Sequence, residues 1–259
     1  MPNIPEDLAV RIDRDGFAVV PDVLNGPEVA ELILAVDRAE LEADRRADPA
    51  ALRRGKSVYG LRDLLGRVPE VRRLSVSPAI RELVEPVLGP GAFAVRGLWF
   101  DKTPGANWNL PWHRDLTIAA RERVDAAGFS CWTTKAGIPH ALAPPGVLEG
   151  MLTVRLHLDA AGPDNGPLRV LPGSHRLDGR DPTEVAPWRG RCRPVECAVG
   201  AGGAVLMRPL LLHASNAAEA PGHRRVVHLE FATAPLPGGV EWYDRVLPGD
   251  DARPAINPR

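Results

Sequence analysis

Lysine is nearly missing from this chain: Lys56, Lys102 and Lys135 are the only ones among 32 basic residues, so the positive charge is almost all arginine. Beside 27 prolines and abundant alanine, the shortage reads as a compositional bias and excludes no function. Cysteine is scarce too. Cys131, Cys192 and Cys197 are too few, and odd in number, for a disulfide framework, which points to a reducing compartment. Without a second cysteine pair, Cys192 and Cys197 make no zinc site either. No uncharged apolar run nears the ~20 residues that a membrane span needs. Glu6, Asp7, Arg11, Asp13 and Arg14 stand where a secretory signal is apolar. An excess of one charge is also lacking: 32 Lys+Arg face 33 Asp+Glu, a net of −1, which argues against nucleic acid or a membrane as partner. A soluble, cytoplasmic protein is expected. There is no P-loop, H-E-x-x-H or G-x-S-x-G, and Gly200-Ala201-Gly202-Gly203 precedes a strand where a dinucleotide loop would follow one.

What is present is an ordinary globular composition, 44% hydrophobic and 25% charged. A chain of 259 residues buries roughly three-quarters of its unfolded surface. Gly16-Phe17-Ala18-Val19-Val20 reads as a strand closed by Pro21-Asp22. Pro27 opens a helix over Glu28 to Arg46, in which Val29, Leu32, Ile33, Val36 and Leu41 recur near the helical period. A second helix is expected over Pro78 to Leu88, stopped by Gly89-Pro90. From residue 92 the texture changes. Ala92 to Phe100, Met151 to Leu158, Leu168 to Leu171, Ala204 to Leu212 and Arg225 to Phe231 read as strands, separated by Pro, Gly and Asn clusters. Helices first and strands afterwards predict a mainly β fold with flanking helices: a β-sandwich or jelly roll with a helical layer outside it. A single domain over 1–259 is expected, with the helical layer at about 1–90, the core at about 91–234 and a wrapping tail over 235–259. The insertion Ala119 to Gly150 is expected to be a lid or binding loop that forms much of a substrate pocket.

The chemistry is expected to begin at Trp112-His113-Arg114-Asp115-Leu116-Thr117. On a strand, residues two apart share a face, so His113 and Asp115 can reach one metal ion while Arg114 points away. On a helix the same pair would diverge by about 200°. A third candidate, His213, closes the apolar run Val205 to Leu212, far enough downstream for the middle strands of a jelly roll to lie between. Two imidazoles and one carboxylate form the facial triad of non-haem Fe(II) oxygenases, which leaves coordination positions open. Beyond His213 stand Arg224 and Arg225. A buried guanidinium there can take a dicarboxylate cosubstrate bidentately, with Ser215 donating a hydrogen bond to the same carboxylate.

These residues, in this order, resemble the phytanoyl-CoA dioxygenase family. His113-x-Asp115, His213-Ala214-Ser215 and Arg224 carry the likeness. Between them runs Asp164-Asn165-Gly166-Pro167-Leu168-Arg169-Val170-Leu171-Pro172-Gly173-Ser174-His175. The segments Asp15 to Pro21 and Leu98 to Pro104 also match, so the likeness extends from about Gly16 to Phe231. It implies a double-stranded β-helix, the cupin-like jelly roll. It implies, too, an Fe(II)- and 2-oxoglutarate-dependent dioxygenase that uses O2, oxidises a small organic substrate and releases succinate and CO2. Iron would fall to His113, Asp115 and His213, and the distal carboxylate of 2-oxoglutarate to Arg224 with Ser215. Arg114 stands where the family more often has glutamine, and must point outward or meet an anion. Family spacing selects Arg224, although strand alternation puts Arg225 with apolar Val227, Leu229 and Phe231. Because Asp115 is present, hydroxylation or a related oxidation is expected in preference to halogenation. The competing reading, a cupin-like metal-binding protein or isomerase without O2 chemistry, requires neither Arg224 nor Ser215. Oligomeric state leaves no signal.

Other polar residues are assigned supporting parts. His157 and His228 are read as core histidines and His175 as a turn anchor, while His140 either faces substrate or packs a turn. Trp108, Trp112 and Trp132 line an apolar pocket or fill the core. Lys102, Asn107 and Arg155 are read as surface or supporting residues in preference to ligands of an anionic substrate or cosubstrate, and Arg62 as able to reach the site from the helical layer.

Overall fold

The computed structural model describes residues 5–177, 187, 188, 190 and 192–250. A short helix, α1 (Leu8–Asp15), leads into β1 (Phe17–Val20) and then a long helix, α2 (Gly26–Arg45). A hairpin of β2 (Ala51–Arg54) and β3 (Ser57–Leu61) precedes α3 (Leu64–Arg67), α4 (Pro69–Ser75) and α5 (Pro78–Leu88). Strands dominate from there: β4 (Phe93–Asp101), β5 (Leu110–His113), β6 (Thr117–Ala119), β7 (Ser130–Lys135) and β8 (Ile138–Leu142). After the short α6 (Pro145–Glu149) come β9 (Met151–His157), β10 (Leu168–Val170), β11 (Val195–Cys197), β12 (Ala204–Met207), β13 (His213–Ser215) and β14 (Arg225–Ala232). Among the described residues, no helix is long and apolar enough to cross a membrane.

Local chemistry explains the helix boundaries. Asn25 caps α2 through a capping box: its Oδ1 accepts the Glu28 N–H at 3.0 Å, and Glu28 Oε2 accepts the Asn25 N–H at 2.8 Å. Val29, Leu32 and Val36 are buried as their period predicts, but Leu41 is 51% exposed. It falls five residues past Val36, off the apolar stripe, whereas Ala43 lies two turns on and is buried.

Two antiparallel sheets make the jelly roll. The larger has seven strands in the order β1-β12-β9-β14-β4-β3-β2; the smaller has four, β11-β10-β13-β5. Thus the first 90 residues supply edge strands as well as helices. The large sheet is buried on both faces, which is why β9 reads as a continuous run with every position buried. Leu152, Val154, Leu156 and Leu158 pack with the helices, while Thr153, Arg155 and His157 alternate onto the other face, toward the small sheet.

Two departures from the sequence reading concern the course of the chain. The apolar run Ala204 to Leu212 is not one strand. It breaks after Met207, and residues 208–212 carry the chain from the large sheet to β13 in the small one. Pro209 has no N–H for a ladder, the Leu211 N–H turns back to Arg208 O at 3.0 Å, and the Leu212 N–H goes to Ser174 Oγ at 2.9 Å. Leu211 and Leu212 stay buried in the crossing, so hydropathy alone does not show the break. The second departure is the segment 119–150, which is no loop: β6, β8 and β7 form a separate three-stranded sheet. Ile118, Phe129, Ala141 and Leu148 share a small core there with Leu236, Val240 and Trp242 of the tail. The tail is fixed again where Val246 exchanges backbone hydrogen bonds with Ala94, at 2.9 and 3.1 Å. Its end, 251–259, lies outside the described residues.

Candidate active site

The two histidines are brought together by strand register. In the antiparallel pair β5·β13, His113 and His213 are direct partners, with ring centroids 4.1 Å apart. Each turns its Nδ1 onto the carbonyl two residues before it, His113 onto Pro111 O and His213 onto Leu211 O, both at 2.9 Å. Nδ1 therefore carries the proton, and the lone pair of Nε2 is left facing Asp115. Asp115 lies beyond the end of β5, not on it as expected, and its N–H is held by Pro209 O at 2.9 Å. The crossing at 208–212 thus sets Asp115 and His213 at once. Asp115 Oδ1 is 3.8 Å from His113 Nε2, and Oδ2 is 3.6 Å from His213 Nε2. One ligand atom from each of the three lies within 4.8 Å of the others.

Burial raises the proton affinity of the Asp115 carboxyl, but His213, His228, His113 and Arg96 together outweigh it and hold the group well below the usual carboxylate range. Burial lowers His213 to about 4, against the pull of Asp115, so its imidazole is neutral at pH 7. Asp115 Oδ2 is buried with no hydrogen-bond partner. An orphaned carboxylate oxygen between the Nε2 atoms of two imidazoles is the donor set of a divalent transition metal, and these residues fit one.

A cavity of about 260 Å³ opens over the three side chains. Tyr59, Leu98, Phe100 and Trp108 give it an apolar wall; Arg96, Arg155 and Arg224 give it a cationic one. Arg224 is 4% exposed. Its backbone N–H goes to Asp101 Oδ1 at 2.8 Å, and its guanidinium donates to Gly166 O and, at 3.3 Å, to Ser215 Oγ. Burial, reinforced by Arg155, lowers Arg224 to about 9. Arg225 lies on the opposite face, bound to both oxygens of Asp159 at 2.9 Å and to Asp37 at 3.0 Å. Alternation was read correctly there, but the apolar face belongs to the helical layer and the polar face to the cavity.

The turn motifs noted in the sequence hold this arrangement. Gly166, at φ +58°, has no room for a side chain: a Cβ would stand 2.5 Å from Asn216 O. Ser174 of Pro172-Gly173-Ser174-His175 secures the crossing ahead of His213, and His175 Nε2 bonds Asp13 O at 3.0 Å, anchoring a turn as expected. Arg114 points away from the cavity and donates to Ser174 O at 3.3 Å. Asn107 clasps both backbone groups of Ala218.

Several contributors escape a motif-based reading. Lys102 is fully buried, donating to Ser215 Oγ at 2.5 Å and to Asn216 O; burial, then Arg224 and Arg155, lower it to about 7. Arg155 donates to His228 Nδ1 at 2.8 Å, His228 Nε2 meets Glu230 Oε1 at 3.1 Å, and Glu230 pairs with Arg96. His228, expected to be a core residue, therefore lines the site. Arg96 and Glu230 drew no attention in the sequence, although a charge at an alternate position in an otherwise apolar strand is the available signal. Arg62 and Trp108 line the cavity. Trp112 stacks under Arg169 at 5.6 Å, Trp132 packs against Phe129, and His140 is buried on Ile138 O at 2.9 Å. No described residue of 119–150 is among those lining the cavity.

Comparison with known proteins gives the family and the fold. The family Phytanoyl-CoA dioxygenase (PhyH) matches residues 12–226. An ectoine dioxygenase of Sphingopyxis alaskensis is 26% identical over 173 residues, 65% of this chain and 49% of that protein. An L-proline trans-4-hydroxylase of Streptomyces griseoviridis is 28% identical over 174 residues, 65% of this chain and 54% of that one. The chain thus spans about half the length of the curated relatives it matches. The crystal structure of EctD from S. alaskensis with 2-oxoglutarate and 5-hydroxyectoine superposes with a TM-score of 0.69 at 21% identity, covering 88% of this chain and 76% of that chain, a likeness of fold.

Proposed function

Because the chain belongs to the phytanoyl-CoA dioxygenase family, we propose that it is an Fe(II)- and 2-oxoglutarate-dependent dioxygenase. It hydroxylates, or otherwise oxidises, a small organic substrate. One observation carries the reading: two imidazoles and a carboxylate converge at one end of a cavity whose wall holds the buried pair Arg224–Ser215. In this reading His113, Asp115 and His213 hold the iron from one side. Bound iron and 2-oxoglutarate together supply the activation of O2, with succinate and CO2 as coproducts.

The chain's own residues do the rest. The carbonyls of Pro111 and Leu211 hold Nδ1 of the two histidines, which turns each Nε2 toward the place the metal would take. Arg224 and Ser215 take the distal carboxylate of the cosubstrate, with Lys102 adding charge behind Ser215. A guanidinium buried against a carbonyl and a hydroxyl awaits an anion, and supplying one offsets the several kcal/mol that an unpaired buried ion costs. An isomerase would have no use for that pair. The same reading takes the chain as one domain, with a small-molecule substrate; three unpaired cysteines suit a cytoplasmic location.

The test is anaerobic addition of Fe(II) and 2-oxoglutarate. A weak visible charge-transfer band of the chelate is expected, with metal affinity reduced more than about 100-fold in Asp115→Ala. Succinate formed from 2-oxoglutarate under O2 separates the dioxygenase from an isomerase. Neither band nor succinate in the wild-type protein would sink the proposal.

A further inference from the structure

In a chain that carries its positive charge almost wholly on arginine, one of the few lysines is fully buried beside the cavity. Lys102, the residue after β4, stands behind Ser215, which lines the cavity together with Arg224. Its ammonium donates to Ser215 Oγ at 2.5 Å and to Asn216 O, and lies over the Trp108 ring, 5.4 Å from the centroid. Arg224 reaches the same Oγ at 3.3 Å, so two buried cations converge on one hydroxyl. The oxygens that these cations meet are neutral. Gly166 O takes Arg224, Asn216 O takes Lys102, and the same two carbonyls stand 3.3 and 3.4 Å from Ser215 Oγ to receive its own hydrogen. Asp101, next to Lys102 in the chain, turns its oxygens to the Arg224 N–H and to His223 Nδ1. Arg155, on the cavity wall and bound to His228, adds charge of the same sign. Among the described residues, neither the Lys102 nor the Arg224 side chain pairs with a carboxylate.

Two like charges on one hydroxyl, dry and surrounded by neutral acceptors, are costly to keep together until an anion joins them. Arginine keeps its proton, whereas a buried lysine gives its own up readily, so the lysine is the partner that yields. Burial first, then Arg224 and Arg155, lower Lys102 to about 7. A carboxylate brought to Arg224 and Ser215 reverses the balance, because negative charge nearby favours the ammonium. The hydroxyl responds to the same change. An uncharged amine has a lone pair able to accept the Ser215 hydrogen; an ammonium has none. We propose that Lys102 is a positioning residue of the cosubstrate site: its Nζ takes a proton from solvent as the distal carboxylate arrives, becomes purely a donor to Ser215 Oγ, and so commits the Ser215 hydrogen to that carboxylate. This rests on the dioxygenase reading for the identity of the ligand, and on the buried cluster alone for the proton.

Calorimetry in buffers of low and high ionisation enthalpy counts the proton. 2-Oxoglutarate is titrated into anaerobic protein loaded with Fe(II), and glutarate, which has both carboxylates but no keto group, into metal-free protein. More than about half a proton is expected to enter per ligand at pH 8 and almost none at pH 6, and the dissociation constant should rise about fivefold between pH 7.5 and 8.5. In Lys102→Met the uptake at pH 8 should vanish, and affinity should become nearly independent of pH and fall about tenfold below wild type at pH 6.5. A lysine with a merely structural part would lower affinity on substitution without moving a proton. Ligand bound with equal heats in both buffers at pH 8 overturns the inference in the wild-type protein alone, and so does an uptake that survives in Lys102→Met. Absence of the visible Fe(II) chelate band in wild-type protein refutes the dioxygenase reading instead, and the glutarate titrations still decide the proton. If neither dicarboxylate binds, both fall.

Discussion

The two faces of the seven-stranded sheet are similarly dry and chemically opposite. Toward the helices, Leu152, Val154, Leu156, Val227, Leu229 and Phe231 form an apolar layer that only packs. Toward the small sheet, the intervening positions include Thr153, Arg155, His157, His228 and Glu230 beside apolar Val226, all buried and most of them charged or titratable. Desolvating such groups opposes folding unless each finds a partner, and here several do not: Arg155 Nε and both ring nitrogens of His157 are unpartnered. One face contributes stability; the other holds unsatisfied polarity that a ligand can answer.

The comparison breaks most visibly at Leu229, which is buried in the apolar cluster of the outer face. Leu229→Ala is expected to cost about 2–5 kcal/mol in chemical denaturation, through lost burial and a cavity. Protein that remains folded should keep its affinity for 2-oxoglutarate; a large loss there would show that the faces are not independent. The adjacent arginines sharpen the contrast. Arg224→Met should weaken 2-oxoglutarate binding by about 10- to 100-fold, the worth of a charge-assisted hydrogen bond to a buried carboxylate, with little loss of stability. Arg225→Met should leave that affinity unchanged and cost about 1 kcal/mol of stability through Asp159 and Asp37.

The inner face should also show acid sensitivity, at His157. Burial, then Arg155 and Arg224, lower it to about 3, below the ordinary histidine value of 6.5. Between those values the unfolded chain binds the proton and the folded chain does not, so stability is present above pH 6.5 and falls as pH drops toward 3. Lowering pH from 7 to 5 should therefore cost roughly 2 kcal/mol through this group. His157→Phe should flatten that part of the pH profile in urea titrations, whereas Phe231→Leu on the outer face should shift the profile without changing its slope.

Legibility in the sequence followed the same division. Elements with a local cause were readable: the expected helix over Pro78 to Leu88 coincides with α5, because Pro78 opens it and Gly89-Pro90 ends it. Strands buried on both faces were readable as runs, but their limits were not, as the break at Arg208 shows. His113, Asp115, His213, Ser215 and Arg224 could be nominated because their motifs are short. Arg96 and Glu230 could not, since each acquires its part through residues distant in the chain. The pair Arg96–Glu230, for example, joins β4 to β14.

By itself, then, the sequence determined which residue types were available, where helices begin and end, and that two histidines and an aspartate stand in an order able to hold a metal. Only the tertiary structure decided that His113 and His213 are register partners, that Arg224 faces the cavity while Arg225 faces the helices, and that the segment 119–150 folds into its own sheet. The reason is the range of the forces. Capping and periodicity act over one or two turns of chain, whereas strand register and the dryness of a cavity come from surfaces that meet only when the sheets close.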